Sequence, residues 1–176
     1  EARVAELARR LAIPVVTSFM GRGLMAHADV PLIGTYLGLA GDASVSEQVE
    51  NSDALLLLGV IVSDTNFAVS ARRIDLRHAI QVFDGDVAMG HHVYHQLPIG
   101  ALIDALLARV PPVASATPAV TAAAAAVPLA ADDRPVRPQD IAAALNALMR
   151  EHGTMPLASD VGDCLFTAMD VEPAAL

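Results

Sequence analysis

The first twelve residues place Val4, Leu7, Ala8 and Leu11 on one helical face and Arg3, Glu6, Arg9 and Arg10 on the other. That spacing predicts an amphipathic helix from Glu1 to Ala12, then a short strand at Pro14 to Ser18. From Asp53 to Asn66 the pattern changes to an unbroken apolar run, interrupted by Gly59 and ending in Ser63-Asp64-Thr65-Asn66. A run of this length without polar alternation predicts a strand buried on both faces at the centre of a parallel sheet. The polar turn after it lies at the strand's carboxyl end, where open α/β sheets bind ligands. Before the run, Ser44 with Glu47 three residues on predicts an N-cap, and a short helix through Val45 and Val49 to Ser52.

Beyond this stretch the alternation continues. Ala71 to Leu76 carries Arg72, Arg73 and Asp75 as a solvated face, and His78 to Phe83 reads as the next strand. Val93 to Pro98 reads as an edge strand, and Gly100 to Val110 as a helix with Leu102, Ile103, Leu106 and Leu107 inward. Alternating helix and strand over residues 1–110 predicts a doubly wound parallel sheet of the α/β class, a Rossmann-like domain. Residues 111–137 are rich in proline and alanine and read as a linker. Pro138 then suits a first helical turn, with Ile141, Leu145, Leu148 and Met149 on one face and an end near His152-Gly153. Residues 138–176 therefore read as the start of a second α/β domain, continuing with a strand at Met155 to Ser159, a turn at Asp160 to Cys164 and a helix at Leu165 to Met169.

Composition narrows the partners. The 176 residues are 54% hydrophobic with a net charge of -9. Phosphate backbones need clustered basic side chains, and the arginines here are scattered, so nucleic acid is not an expected partner. Val113 to Ala131 is mostly alanine broken by Pro118 and Pro128, so no membrane association is expected. The lone Cys164 fits a reducing, cytoplasmic compartment. The first helix begins without a cap, which suggests that the polypeptide extends upstream.

Several motifs suggest chemistry. Gly21-Arg-Gly-Leu-Met-Ala26 matches a dinucleotide fingerprint, but His27 to Pro31 breaks any helix that would aim at a pyrophosphate, so a glycine turn is expected. Gly34, Gly38 and Gly41 allow close backbone packing or approach to a ligand. Asp84-Gly85-Asp86 suits a tight turn, or a ribose. His91, His92 and His95 lack ligand spacing with cysteine or carboxylate, so no metal site is assigned. Asp160-Val-Gly-Asp-Cys164 has the strand, glycine turn and helix order that presents amides to a phosphate, but also suits an ordinary turn capped by Asp163. Two acids beside a diphosphate would require a cation or a protonated carboxyl nearby, and nothing in the segment supplies either.

Taken together, Pro14-Val-Val-Thr17, Met20-Gly-Arg-Gly23, Gly34-Thr-Tyr-Leu-Gly38, Glu47 to Asp53 and Leu58 to Asn66 resemble the middle domain of thiamine-diphosphate-dependent 2-oxo acid decarboxylases. Ala158-Ser-Asp-Val-Gly-Asp-Cys-Leu-Phe-Thr-Ala-Met-Asp170 resembles the opening of their C-terminal cofactor domain. The turn Ser63 to Asn66 favours the phenylpyruvate, indolepyruvate and pyruvate branch over the flavin-carrying acetohydroxyacid synthases. The resemblance implies conversion of a small-molecule 2-oxo acid to an aldehyde and carbon dioxide, with thiamine diphosphate as electron sink and magnesium as its partner. It places Val161, Gly162, Asp163 and Cys164 at the cofactor, Gly162 near the diphosphate and Asp163 nearer the reacting end, with no catalytic or metal residue in this segment. The activating glutamate would precede Glu1, the magnesium motif would follow Leu176, and the segment alone is expected to be inactive. Flanking domains of the same chain, and a homodimer or homotetramer, are the implied partners. A nucleotide- or flavin-binding regulatory module and a packing scaffold remain as other readings.

Overall fold

The computed structural model describes residues 1–25, 27–67, 73–111, 133–160 and 162–171. The chain divides into two compact units, Glu1–Ala123 and Ala124–Leu176.

In the first unit α1 (Ala2–Leu11) buries Ala5, Leu7 and Ala8 and ends at Ala12, which turns into the left-handed region at φ 53. β1 (Val15–Ser18) follows and pairs in parallel with β2 (Leu32–Tyr36), Thr17 lying opposite Thr35 with their hydroxyls 2.9 Å apart. The described residues between are irregular apart from a 3-10 turn at Phe19–Gly21, and no α-helix starts among those of the Gly21 motif. α2 (Ala43–Glu50) is capped by Asp42, two residues before the Ser44 cap expected from sequence. The Asp42 carboxylate accepts from the amides of Ser44 at 2.8 Å and Val45 at 3.2 Å, satisfying two first-turn donors that Ser44, itself inside the helix, cannot reach.

β3 (Leu55–Leu58) pairs in parallel with β4 (Ala79–Phe83), Leu55 opposite Ala79. β4, β5 (Asp86–Met89) and β6 (His92–Tyr94) then form an antiparallel meander, giving the order β3-β4-β5-β6. The α/β class stands, but the sheet is mixed rather than wholly parallel. The cause is Asp84-Gly85, a two-residue hairpin loop with Asp84 at φ 52 and Gly85 at φ 81, whereas a parallel crossover needs a dozen residues or so. β3 is also not the buried centre of the sheet: its four leucines are half-buried, and it is an edge of its own sheet.

α3 (Asp64–Phe67) replaces the expected turn after β3 with one helical turn. α4 (Ile99–Arg109) buries Ile103 and packs on α1, where Arg10 Nη1 donates to the carbonyls of Leu107 at 2.8 Å and Val110 at 3.4 Å. Those bonds occupy carbonyls that a helix end otherwise leaves unpaired.

In the second unit α5 (Pro138–His152) has proline at its first position, and the Asp140 carboxylate accepts from the Arg137 amide at 2.9 Å. Its buried Asn146 donates to the carbonyl of Asp170 at 2.9 Å, holding α6 (Asp163–Thr167) and the 3-10 turn Ala168–Asp170 against it. The expected strand Met155 to Ser159 does not form. The segment is exposed and has no ladder partner among the described residues, and a strand needs one. The expected linker falls mostly on residues 112–132, outside the described residues.

Candidate functional site

Two places carry the residues singled out from sequence. The first is the carboxyl end of β1 and β3. A cavity of about 440 Å3 is lined by both strands, with Val16, Leu56, Leu58 and Met25 in its walls together with Met20 and Ile61, which follow β1 and β3. Among its described lining residues Glu1 is the only one with a charged side chain, and none is a lysine, arginine or histidine that would pair with the diphosphate of a nucleotide or flavin.

The Ser63 to Asn66 turn, which the sequence marks as a ligand-reading element, is turned inward at Asn66. That residue is 1% exposed, its Nδ2 donating to the Ile61 carbonyl at 2.7 Å and its Oδ1 accepting from the Met20 amide at 3.3 Å. Its side chain thus ties the loop after β3 to the turn after β1. Sequence reasoning missed this role; the signal was an amide side chain close behind an apolar strand, where buried backbone groups need partners. Nearby, the ring of Phe67 meets that of Tyr36 edge-on at 5.6 Å, and the Tyr36 hydroxyl donates to Glu50 Oε1 at 3.3 Å. Burial, reinforced by the Glu50 charge, pushes the Tyr36 phenol up to about 12.

The remaining motifs are separate. His91 sits in the loop between β5 and β6, His92 in β6, and His95 Nδ1 lies 3.0 Å from Asp86 Oδ2. Gly34 is used for close packing, under Val45 of α2.

The second place is the turn at 160–164. Val161 lies outside the described residues. Gly162 is the N-cap of α6 at φ 103, a conformation that L side chains rarely adopt, although a Cβ there would meet nothing within 4 Å. The expected cap, Asp163, is instead the first helical residue, and the N-cap Gly162 has no side chain to bond the helix start. Gly162, Asp163 and Cys164 are all exposed, and Cys164 Sγ lies 3.1 Å from the Asp160 carbonyl. A helix start of this kind suits an anion such as a diphosphate. Asp160 and Asp163 add negative charge beside it, which calls for a cation, and no group of three His, Cys, Asp or Glu able to hold a metal occurs among the described residues. No helix among them is long and apolar enough to cross a membrane.

Comparison with known proteins supplies what geometry leaves open. Residues 1–110 match the model of the thiamine pyrophosphate enzyme central domain. The chain is 54% identical over 178 aligned residues to an indole-3-pyruvate decarboxylase of Azospirillum brasilense, an alignment covering 100% of this chain and 32% of that protein. It is 28% identical over 110 residues to an alpha-keto-acid decarboxylase of Mycobacterium avium, covering 58% of this chain and 20% of the relative, and 24% identical over 94 residues to one of Mycobacterium ulcerans, covering 53% and 17%. The chain thus spans at most about a third of the length of these curated relatives. With its central-domain match and its whole-length similarity, the chain belongs to the thiamine pyrophosphate enzyme family.

Proposed function

We propose that the chain is part of a thiamine-diphosphate- and magnesium-dependent carboxy-lyase that converts a 2-oxo acid of the indolepyruvate, phenylpyruvate or pyruvate type to an aldehyde and carbon dioxide. The observation that carries this is the 54% identity, along the whole chain, to an indole-3-pyruvate decarboxylase. On this reading residues 1–110 are the central domain, 111–137 the linker, and 138–176 the start of the cofactor domain. The protein works in the cytoplasm as a homodimer or homotetramer.

Val161, Gly162, Asp163 and Cys164 would lie at the cofactor, with Gly162 and the neighbouring amides near its diphosphate and Asp163 nearer its reacting end. Gly162 suits that task because its positive φ turns the backbone abruptly into α6. When bound, thiamine diphosphate supplies the electron sink that accepts the pair left behind by carbon dioxide. The magnesium ligands and the activating acid belong to other parts of the polypeptide, so residues 1–176 by themselves are inactive.

Aldehyde release by the full-length parent polypeptide, with thiamine diphosphate and magnesium against the three 2-oxo acids, tests the reading. Turnover that requires the cofactor, and a Gly162→Val variant whose apparent cofactor affinity falls by roughly 10-fold or more for about two lost anion contacts, is the expected result. Absence of turnover on all three acids refutes the decarboxylase reading. Turnover with unchanged cofactor affinity in the variant refutes the site.

A further inference from the structure

The hairpin of β5 and β6 leaves an open edge. Among the described residues β6 is bonded only to β5, and its three residues, His92, Val93 and Tyr94, are all exposed. His92 lies opposite Met89, and Tyr94 opposite Val87. Met89 and His92 flank the two-residue loop Gly90-His91, with Gly90 at φ 61. In such a hairpin the flanking pair exchanges its ladder bonds, and so does the pair two residues on. Val93, between them, therefore turns its N–H and C=O to the open side.

Natural edges of this kind carry lysine, proline or an inward charge that blocks further pairing. Here residues 91–95, His-His-Val-Tyr-His, carry no lysine, arginine, aspartate, glutamate or proline, in a chain whose net charge is -9. Val93 is 53% exposed, and Tyr94 and its face-neighbour Met89 are 50% and 45% exposed. The edge is also its own complement. Antiparallel pairing about a two-fold axis at Val93 sets that residue against Val93 of a second copy, the two exchanging both backbone bonds, and sets His92 against Tyr94. On the Val93 face it brings His91 of one copy opposite His95 of the other, which already holds Asp86 at 3.0 Å. A carboxylate then faces two imidazoles, and no carboxylate opposes another.

We propose that β6 is a docking edge for β6 of a second copy of this chain, so that the sheet β3-β4-β5-β6 of one copy continues into that of the other. This rests on the proposed enzyme's being a homo-oligomer, and it chooses between the two assemblies. A ladder of three residues a side falls short of the roughly 1,200 Å2 that a stable pair buries. It therefore holds only copies that a larger interface has already paired, and it joins dimers into a tetramer.

Light scattering after size exclusion, on the full-length parent polypeptide, tests the proposal. The wild type should be a tetramer. Val93→Lys sets two ammonium groups across the axis and should give a dimer, the affinity between dimers falling by roughly 30-fold as the two central bonds are lost with the pairing. Val93 is exposed in the single copy, so the lysine leaves the fold intact. Val93→Cys, mildly oxidised, should yield a disulfide-linked peptide joining position 93 of one copy to position 93 of another, because opposed residues of a bonded pair stand about 5.5 Å apart at Cα. A dimeric wild type, a tetrameric Val93→Lys or absence of the 93–93 link overturns the pairing. Aldehyde release from the same samples reads the enzyme assignment separately: a wild-type tetramer without turnover refutes the decarboxylase reading and leaves the edge standing, and an active, unchanged tetramer of Val93→Lys does the reverse.

Discussion

Replacing Gly34 with alanine tests how closely β2 is pressed against α2. Gly34 has φ 142, and a Cβ built there stands 2.8 Å from Val45 Cγ2 and 3.9 Å from Val45 Cγ1. The nearer distance is about 1 Å inside an ordinary carbon contact. Val45 is 2% exposed and sits in the first turn of a helix pinned by Asp42, so it has little room to retreat. Overpacking at such a site costs about 1–3 kcal/mol. Holding alanine at a left-handed φ costs about 1–3 kcal/mol more. The sum, about 4 kcal/mol, is a large part of the stability of an ordinary domain. In urea unfolding, with a slope of about 2 kcal/mol/M, it lowers the midpoint by about 2 M. Val45→Ala removes the clashing methyls, so the double variant should recover about 1–3 kcal/mol relative to the sum of the single changes, leaving only the backbone strain. A Gly34→Ala midpoint equal to wild type, or strictly additive single and double variants, would refute the reasoning.

Two further predictions concern titration. The phenol of Tyr36 is raised from 10.0 to about 12, so its contribution to stability is complete below pH 10 and is lost as pH rises toward 12; ultraviolet absorbance in a Tyr94→Phe background should show ionisation and unfolding together in that window. At Asp140, side-chain and backbone hydrogen bonds from Arg137 lower the carboxyl from 3.8 to about 2, so its support of α5 is complete above pH 3.8 and is lost as pH falls toward 2. Carboxyl carbon NMR should place its midpoint well below the ordinary aspartate range, and Arg137→Ala should raise it.

Much of the local structure was legible in sequence because its causes are local. The apolar spacing of Val4, Leu7, Ala8 and Leu11 made α1, Pro138 marked the first turn of α5, and Asp84-Gly85 made a tight turn. Family membership was legible from motifs in a fixed order, which needs no coordinates. The errors fall where several residues compete for one role or where the partner is distant. Both Asp42 and Ser44 can cap a helix, and only the folded backbone shows which reaches the two amides. An apolar run such as Leu55–Leu58 declares that it wants burial, but not how many neighbours surround it. Met155 to Ser159 has strand character without a strand beside it among the described residues. Asn66, read as part of a turn facing a ligand, is instead committed to Met20, 46 residues away in sequence. The sequence by itself determined the longer helices α1, α4 and α5, which segments are apolar and which family they belong to, because side-chain chemistry and short-range spacing suffice for that. The tertiary structure alone decided which edges pair, which polar groups are consumed inside, and where space is left, because those outcomes depend on groups that meet only after the chain has folded.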